Sequence, residues 1–451
     1  MFNRNINKEL IAWAKRSDRK PLMLRGARQV GKTTTVRIFA QKFKQFLYFN
    51  LDMPEDRKIF DKDQSFDELL KAIFFYKNAI RSEKKTLIFI DEIQSSLYAL
   101  KMLRYFYELA PELFVIAAGS TLETMLATDK NISIPVGRVE YLMMRPVSFA
   151  EFIIANNEKS SAEILTDIPI PKFAHDKLLK LFNTYTLIGG MPEVIKKYTE
   201  TQDLAALSRI YDSILASYTN DIEKYAQREG IARVIRFIIQ NAFKDAGNRI
   251  KLEGYGNSGY KYREVNEAFT VLEKALLLSR IWPSVETSVP LKTVHNKAPK
   301  LQLLDTGLVN HFSGLKQEVF GADDISSVYK GKIAEHIIGQ ELLTISSSVL
   351  YNLNFWLREK PQSSAEIDFV YEYKGLIIPI EVKSGATGKL RSLHLFMDMA
   401  PHPFAVRFYN NELQINEAKT IAGKKFFLLN LPYYLAGNIE KYINWFIEKY
   451  K

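Results

Sequence analysis

The chain has no cysteine in its 451 residues. That excludes disulfides, cysteine-built zinc sites and thiol nucleophiles. Histidine is scarce, with six in all. No two of them stand at a metal-ligand spacing, so a histidine-built metal centre is not expected. No apolar run reaches the roughly 18 residues of a spanning helix, so no membrane partner is expected. Residues 1–8 contain no apolar stretch of the kind a secretory signal needs, and a cytoplasmic protein is the expectation. There are no internal repeats and no low-complexity segments. The charge is unbalanced: 62 Lys and Arg against 51 Asp and Glu leave +11. That surplus is compatible with nucleic acid or another anionic partner and does not by itself establish one. The length is enough for two to four domains at about 150 residues each.

What is present begins with Gly26-Ala27-Arg28-Gln29-Val30-Gly31-Lys32-Thr33-Thr34, which fits G-x-x-x-x-G-K-[ST] without a mismatch. Residues 21–25 read as a short buried strand and 35–43 as a helix. Strand, Gly-rich loop, helix is the setting of a phosphate-binding loop. Glycines let backbone N–H groups curl around a phosphate, and the helix N-terminus adds the positive end of its dipole. Lys32 would reach the β- and γ-phosphates of ATP, and the Thr33 hydroxyl would ligate Mg²⁺. About sixty residues on, residues 86–90 are apolar and end in Asp91-Glu92, the pattern of a buried parallel strand ending in acid. Asp91 would hold Mg²⁺ through water, and Glu92 would orient or deprotonate the attacking water. Residues 66–73 and 97–107 read as amphipathic helices, and 46–51, 113–118 and 135–142 as further strands.

The order of these segments is specific. The phosphate loop, Phe89-Ile90-Asp91-Glu92-Ile93-Gln94, Ala117-Ala118-Gly119-Ser120-Thr121, Gly137-Arg138 and residues 146–152 together resemble a family of bacterial and archaeal AAA-type ATPases. Leu187-Ile188-Gly189-Gly190-Met191-Pro192 resembles the same family's turn that closes a helical lid over the nucleotide. The resemblance implies a parallel sheet with helices on both faces and ATP hydrolysis in a homo-oligomer. It places Ser120 at the sensor position against the γ-phosphate or the water. It makes Arg138 a candidate for stabilising the γ-phosphate, in cis or from a neighbouring subunit; a surface salt bridge is the alternative. Tyr218 and Asp221 resemble the family too, although a core-and-surface reading suffices for both.

Residues 156–176 are polar and read as a loop or hinge. From 176 to about 242 the pattern is helical. Three helical stretches between 235 and 278, then strands at 281–283 and 300–305, suggest a winged helix. That would bring Lys261, Arg263, Lys292 and Lys297 to a nucleic-acid face; a protein–protein module is the alternative.

In the last third, Glu335 lies on an amphipathic helix. Glu366 and Asp368 share one face of a strand by its period of two, as Glu381 and Lys383 share a face of the next. Asp368, then Glu381-x-Lys383 across a hairpin, with a helical Glu335 upstream, resembles the PD-(D/E)XK nuclease fold. The resemblance implies that Glu335, Asp368 and Glu381 bind Mg²⁺ and that Lys383 stabilises developing charge or positions water. A fold of this kind that has lost activity, and only binds DNA or protein, is the alternative. The expected class is α/β: an ATPase core (1–155), a helical lid (156–230), a winged-helix-like unit (231–320) and a restriction-endonuclease-like domain (321–451).

Overall fold

The computed structural model describes residues 4–61, 64–119, 137–224, 226, 228–314, 332–360, 363–383 and 390–450. Its N-terminal part is a five-stranded sheet, all parallel. The strands are β1 (Leu22–Gly26), β2 (Gln45–Asn50), β3 (Thr86–Asp91), β4 (Phe114–Gly119) and β5 (Glu140–Met144), in the order β2-β3-β4-β1-β5. The uninterrupted apolar runs follow from burial on both faces. Leu22, Leu24, Leu87, Phe89, Ile116 and Ala118 face one core, and Met23, Ile88, Ile90, Val115 and Ala117 the other. Because all five strands run the same way, their C-terminal ends lie along one edge. That edge is where ligands bind in open α/β sheets, and both the phosphate loop and Asp91 fall on it. Truncating Phe89, which is fully buried, would cost about 3–5 kcal/mol.

The second sheet is mixed and eight-stranded, in the order β12-β13-β11-β10-β9-β8-β6-β7. Its strands are β6 (Leu278–Ser284), β7 (Lys300–Leu303), β8 (Asn354–Lys360), β9 (Ser363–Tyr373), β10 (Leu376–Val382), β11 (Phe404–Tyr409), β12 (Gln414–Lys419) and β13 (Lys425–Pro432). β9 and β10 form a hairpin through Lys374-Gly375, both at positive φ, the backbone of a two-residue primed turn. The helix Lys332–Thr344 packs against β7 and β10.

Three segments differ from the sequence expectation. Residues 156–176 are not a free hinge: Lys159–Ile164 is a short helix. The Tyr442 hydroxyl, on the last helix, accepts from the Ile170 amide at 3.0 Å and donates to the Asp167 carbonyl at 3.2 Å. The three helical stretches between 235 and 278 are two helices, Glu229–Ala242 and Tyr262–Lys274. No breaker separates Phe269 from Thr270, and Val265, Ala268, Phe269 and Leu272 continue one buried face. The wing strands β6 and β7 do not stand apart. β6 pairs in parallel with β8, Trp282 opposite Asn354, so the wing forms one edge of the C-terminal sheet. Lys261, Arg263 and Lys292 are exposed, whereas Lys297 is tied to Glu359 at 2.7 Å. No described helix is long and apolar enough to cross a membrane.

Candidate nucleotide site and a second acidic cluster

The phosphate loop turns at the edge of β1 into the helix Lys32–Ala40. Gly31, at φ +95°, makes the turn at its N-terminus, a conformation that favours glycine. Gln29 is also left-handed, at φ +62°, so the backbone amides between them curl into a concavity suited to an anion. Lys32 is buried, and its ammonium donates to the carbonyls of Gly26 (2.8 Å) and Ala27 (2.9 Å). Burial pulls its pKa down to about 8, against the pull of Glu92 and Asp91. The Thr33 hydroxyl donates to Asp91 Oδ2 at 2.6 Å, joining the two motifs across fifty-eight residues. Burial raises the carboxyls of Asp91 and Glu92, and hydrogen bonds from Thr33 and Gln94 offset part of that. Glu92 sits in a left-handed conformation at φ 50°. Its Oε2 accepts from the Gln94 amide at 2.6 Å, which fixes the carboxyl's direction.

Other residues shape the loop from outside it. Arg4 donates to the carbonyls of Val30 (2.9 Å) and Arg145 (2.7 Å) and pairs with Glu151 at 3.1 Å. Tyr218, on the helix Ser208–Lys224, donates to the carbonyl of Arg28 at 3.0 Å, and Asp221 pairs with the Arg28 guanidinium. The Gly189-Gly190 turn lies close by, with Pro192 at 3.6 Å from where a Cβ on Gly31 would stand. This turn is packed tight: a Cβ on Gly189 would lie 2.3 Å from Asp305 Oδ1. Arg4 and Gln94 were not singled out by sequence. Gln94 lies within the quoted Asp-Glu segment, but nothing local marks Arg4.

Arg138 lies elsewhere. Glu140 pairs with Leu22, and Met144 with Gly26, so Arg138 precedes β5 at the end of the sheet opposite the phosphate loop. It is partly exposed and pairs with Glu108 at 2.8 Å. Action in cis is therefore corrected: this end of the strand does not reach the phosphate loop of its own chain. Ser120 lies outside the described residues.

Oxygen ligands suited to Mg²⁺ are in place at this first site, because Thr33 Oγ1 and Asp91 are already adjacent on the phosphate edge.

The second cluster brings Glu335, Asp368, Glu381 and Lys383 together, with two residues not singled out as its members. Lys300, on β7 and 3% exposed, places its ammonium 2.6 Å from Glu335, 2.8 Å from Glu366 and 3.6 Å from Asp368. Asp368 Oδ2 also accepts from the Val382 amide at 2.7 Å. Lys383 pairs with Glu381 Oε1. Burial, reinforced by Asp368, raises the carboxyls of Glu335 and Glu381. The three neighbouring carboxylates hold Lys300 protonated against burial. Among the described residues no three acidic or histidine side chains are spaced to hold a metal ion. The expected Mg²⁺ set of Glu335, Asp368 and Glu381 does not fit a divalent ion here. The physical reason is that an ammonium already lies against two of its three members.

This geometry is that of a phosphate-binding loop beside an acidic strand end on one edge of a parallel sheet. Residues 18–153 match the model of a family described as "AAA domain". Residues 179–319 and 330–432 match two further models, each described as a domain of unknown function. None of the curated proteins compared with the chain matches it. Among solved structures the chain is similar to a Walker-type ATPase of Pyrococcus abyssi, at 14% identity and TM-score 0.42, over 69% of this chain and 96% of that one. It is also similar to the Holliday junction branch migration motor RuvB of Thermotoga maritima, at 16% identity and TM-score 0.29, over 65% and 92%. A third is the ORC2 protein of Aeropyrum pernix, at 12% identity and TM-score 0.23, over 69% and 92%. Likeness at this level identifies no function.

Proposed function

We propose that the protein binds and hydrolyses ATP with Mg²⁺. The observation that carries this is the 2.6 Å bond between Thr33 and Asp91 beside buried Lys32. Lys32 leaves the carbonyls of Gly26 and Ala27 for the β- and γ-phosphates. Thr33 and Asp91 would hold Mg²⁺, which would supply neutralising charge at the phosphates. Glu92, aimed by Gln94, orients the attacking water and takes up its proton. The test is a calorimetric titration with Mg²⁺ and a non-hydrolysable ATP analogue. Wild type binds and Lys32→Ala does not; equal binding by both overturns the proposal.

Arg138, remote from its own phosphate loop, would act on a neighbouring subunit's nucleotide in a homo-oligomer. Light scattering with the analogue should then show a species larger than the monomer. A strict monomer leaves Arg138 as the surface partner of Glu108.

For the C-terminal sheet there are two readings: Mg²⁺-dependent cleavage of nucleic acid, or nucleotide-switched binding of DNA or protein. The place of Lys300 favours the second. A route from the ATPase core exists. Glu341, on the helix that carries Glu335, accepts from the Phe149 amide at 3.0 Å and the Tyr185 hydroxyl at 2.7 Å. Cleavage of DNA in Mg²⁺ or Mn²⁺, lost on Glu381→Ala, would reinstate the first reading.

A further inference from the structure

Lys383 apart, the cations of the second cluster come from one part of the chain and its carboxylates from another. Arg249, Lys297 and Lys300 lie before residue 301. Glu335, Glu359, Glu366, Asp368 and Glu381 lie after residue 334. Arg249 reaches Glu359 at 2.9 Å and Glu366 at 3.8 Å, and Lys297 reaches Glu359 at 2.7 Å. Lys300 is the innermost of the three, 3% exposed, with Glu335, Glu366 and Asp368 around one ammonium. The topology causes this: β7 pairs with β6, β6 with β8 and β8 with β9, so the β6–β7 hairpin lines the sheet edge beside the carboxylates.

We propose that Lys300 is a built-in cation that takes the place a divalent metal would need, so that this cluster is a metal-free site with a fixed counter-charge, closed to Mg²⁺ and Mn²⁺. Buried carboxylates repel one another and must be neutralised by a proton, a metal or a fixed cation. An ammonium on a side chain is always present, whereas a metal comes and goes with its concentration. The site therefore resists metal removal, and its integrity depends on the β6–β7 hairpin being seated. Removing the lysine leaves Glu335 and Asp368 without their nearest counter-charge and Glu366 with Arg249 alone at 3.8 Å; a hard divalent cation would supply what is lost.

The experiment uses the full chain carrying Asp91→Asn, which removes the carboxylate ligand of the first site, and Mn²⁺ as the probe. Bound Mn²⁺ is read by electron paramagnetic resonance without nucleotide. The parent should bind none, Lys300→Arg none, and Lys300→Met one Mn²⁺ per chain. Lys300→Met should also melt at a lower temperature than the parent and recover on adding Mn²⁺. A parent that binds one Mn²⁺ and loses it on Glu335→Gln overturns the proposal. So does a folded Lys300→Met variant that binds none. If that variant does not fold, the parent titration decides alone: no bound Mn²⁺ supports the proposal, and a bound ion lost on Glu335→Gln overturns it.

Discussion

Tyr218 and Arg28, one on the helix Ser208–Lys224 and one inside the phosphate loop, are joined by a 3.0 Å hydrogen bond from the tyrosine hydroxyl to the arginine carbonyl. The tyrosine is 3% exposed, and Asp221, one turn on, holds the Arg28 side chain. That helix therefore bears on the loop's backbone directly. Tyr218→Phe removes one buried hydrogen bond, worth about 1 kcal/mol. It should weaken binding of a fluorescent ATP analogue roughly five-fold with the fold intact. An unchanged dissociation constant would show that the helix does not shape the loop.

Lys32 has a second consequence. Without phosphates its pKa is drawn down to about 8, burial being the largest cause. Phosphate charge favours the ammonium, so binding raises that value. The sign follows: near and above pH 8 part of the free protein has lost this proton, and binding must take it up. Affinity should fall by up to about ten-fold per pH unit above 8. Calorimetry in buffers of different ionisation enthalpy should show net proton uptake. No uptake at about pH 8.5 would mean that Lys32 is already protonated throughout.

Glu341 gives a stability test. It is fully buried, and burial, its largest influence, pushes its carboxyl up to about 7 from 4.5. The unfolded chain releases this proton near the lower value and the folded chain near the higher. Between them the folded state binds more protons, so stability falls as pH rises. In Glu341→Gln the amide oxygen still accepts from Phe149 and Tyr185, while the titration is gone. Relative to wild type, the variant should gain on the order of 2–3 kcal/mol across that window. Urea denaturation at several pH values measures this. A difference that does not change with pH would contradict it.

How much of this was legible in the sequence depends on the range of the contacts. Residues 21–34 and 86–92 carry their own signal, because an apolar run ending in a glycine loop or an acid pair is local chemistry. Parallel pairing then places both ends on one edge without further information. Glu335, Asp368, Glu381 and Lys383 were legible through the strand period and one hairpin. Lys300 was not. Its strand was recognised, but the pairing that brings it to the cluster runs through Trp282 and Asn354, far apart in the chain. A period of two reports which way a side chain points and not which strand lies beside it. Arg138 shows the converse: its motif was readable, and only the register of β5 against β1 shows which end of the sheet it occupies.

The most direct test of the central claim is phosphate release from ATP in Mg²⁺ by wild type, Lys32→Ala and Glu92→Gln. Wild type should turn over, and Lys32→Ala, which no longer binds, should not. Glu92→Gln should bind ATP normally but turn over about 10²–10⁴-fold more slowly, the range lost with a positioned base. Turnover unchanged in both variants would contradict the assignment of this loop and this acid pair as the site of hydrolysis.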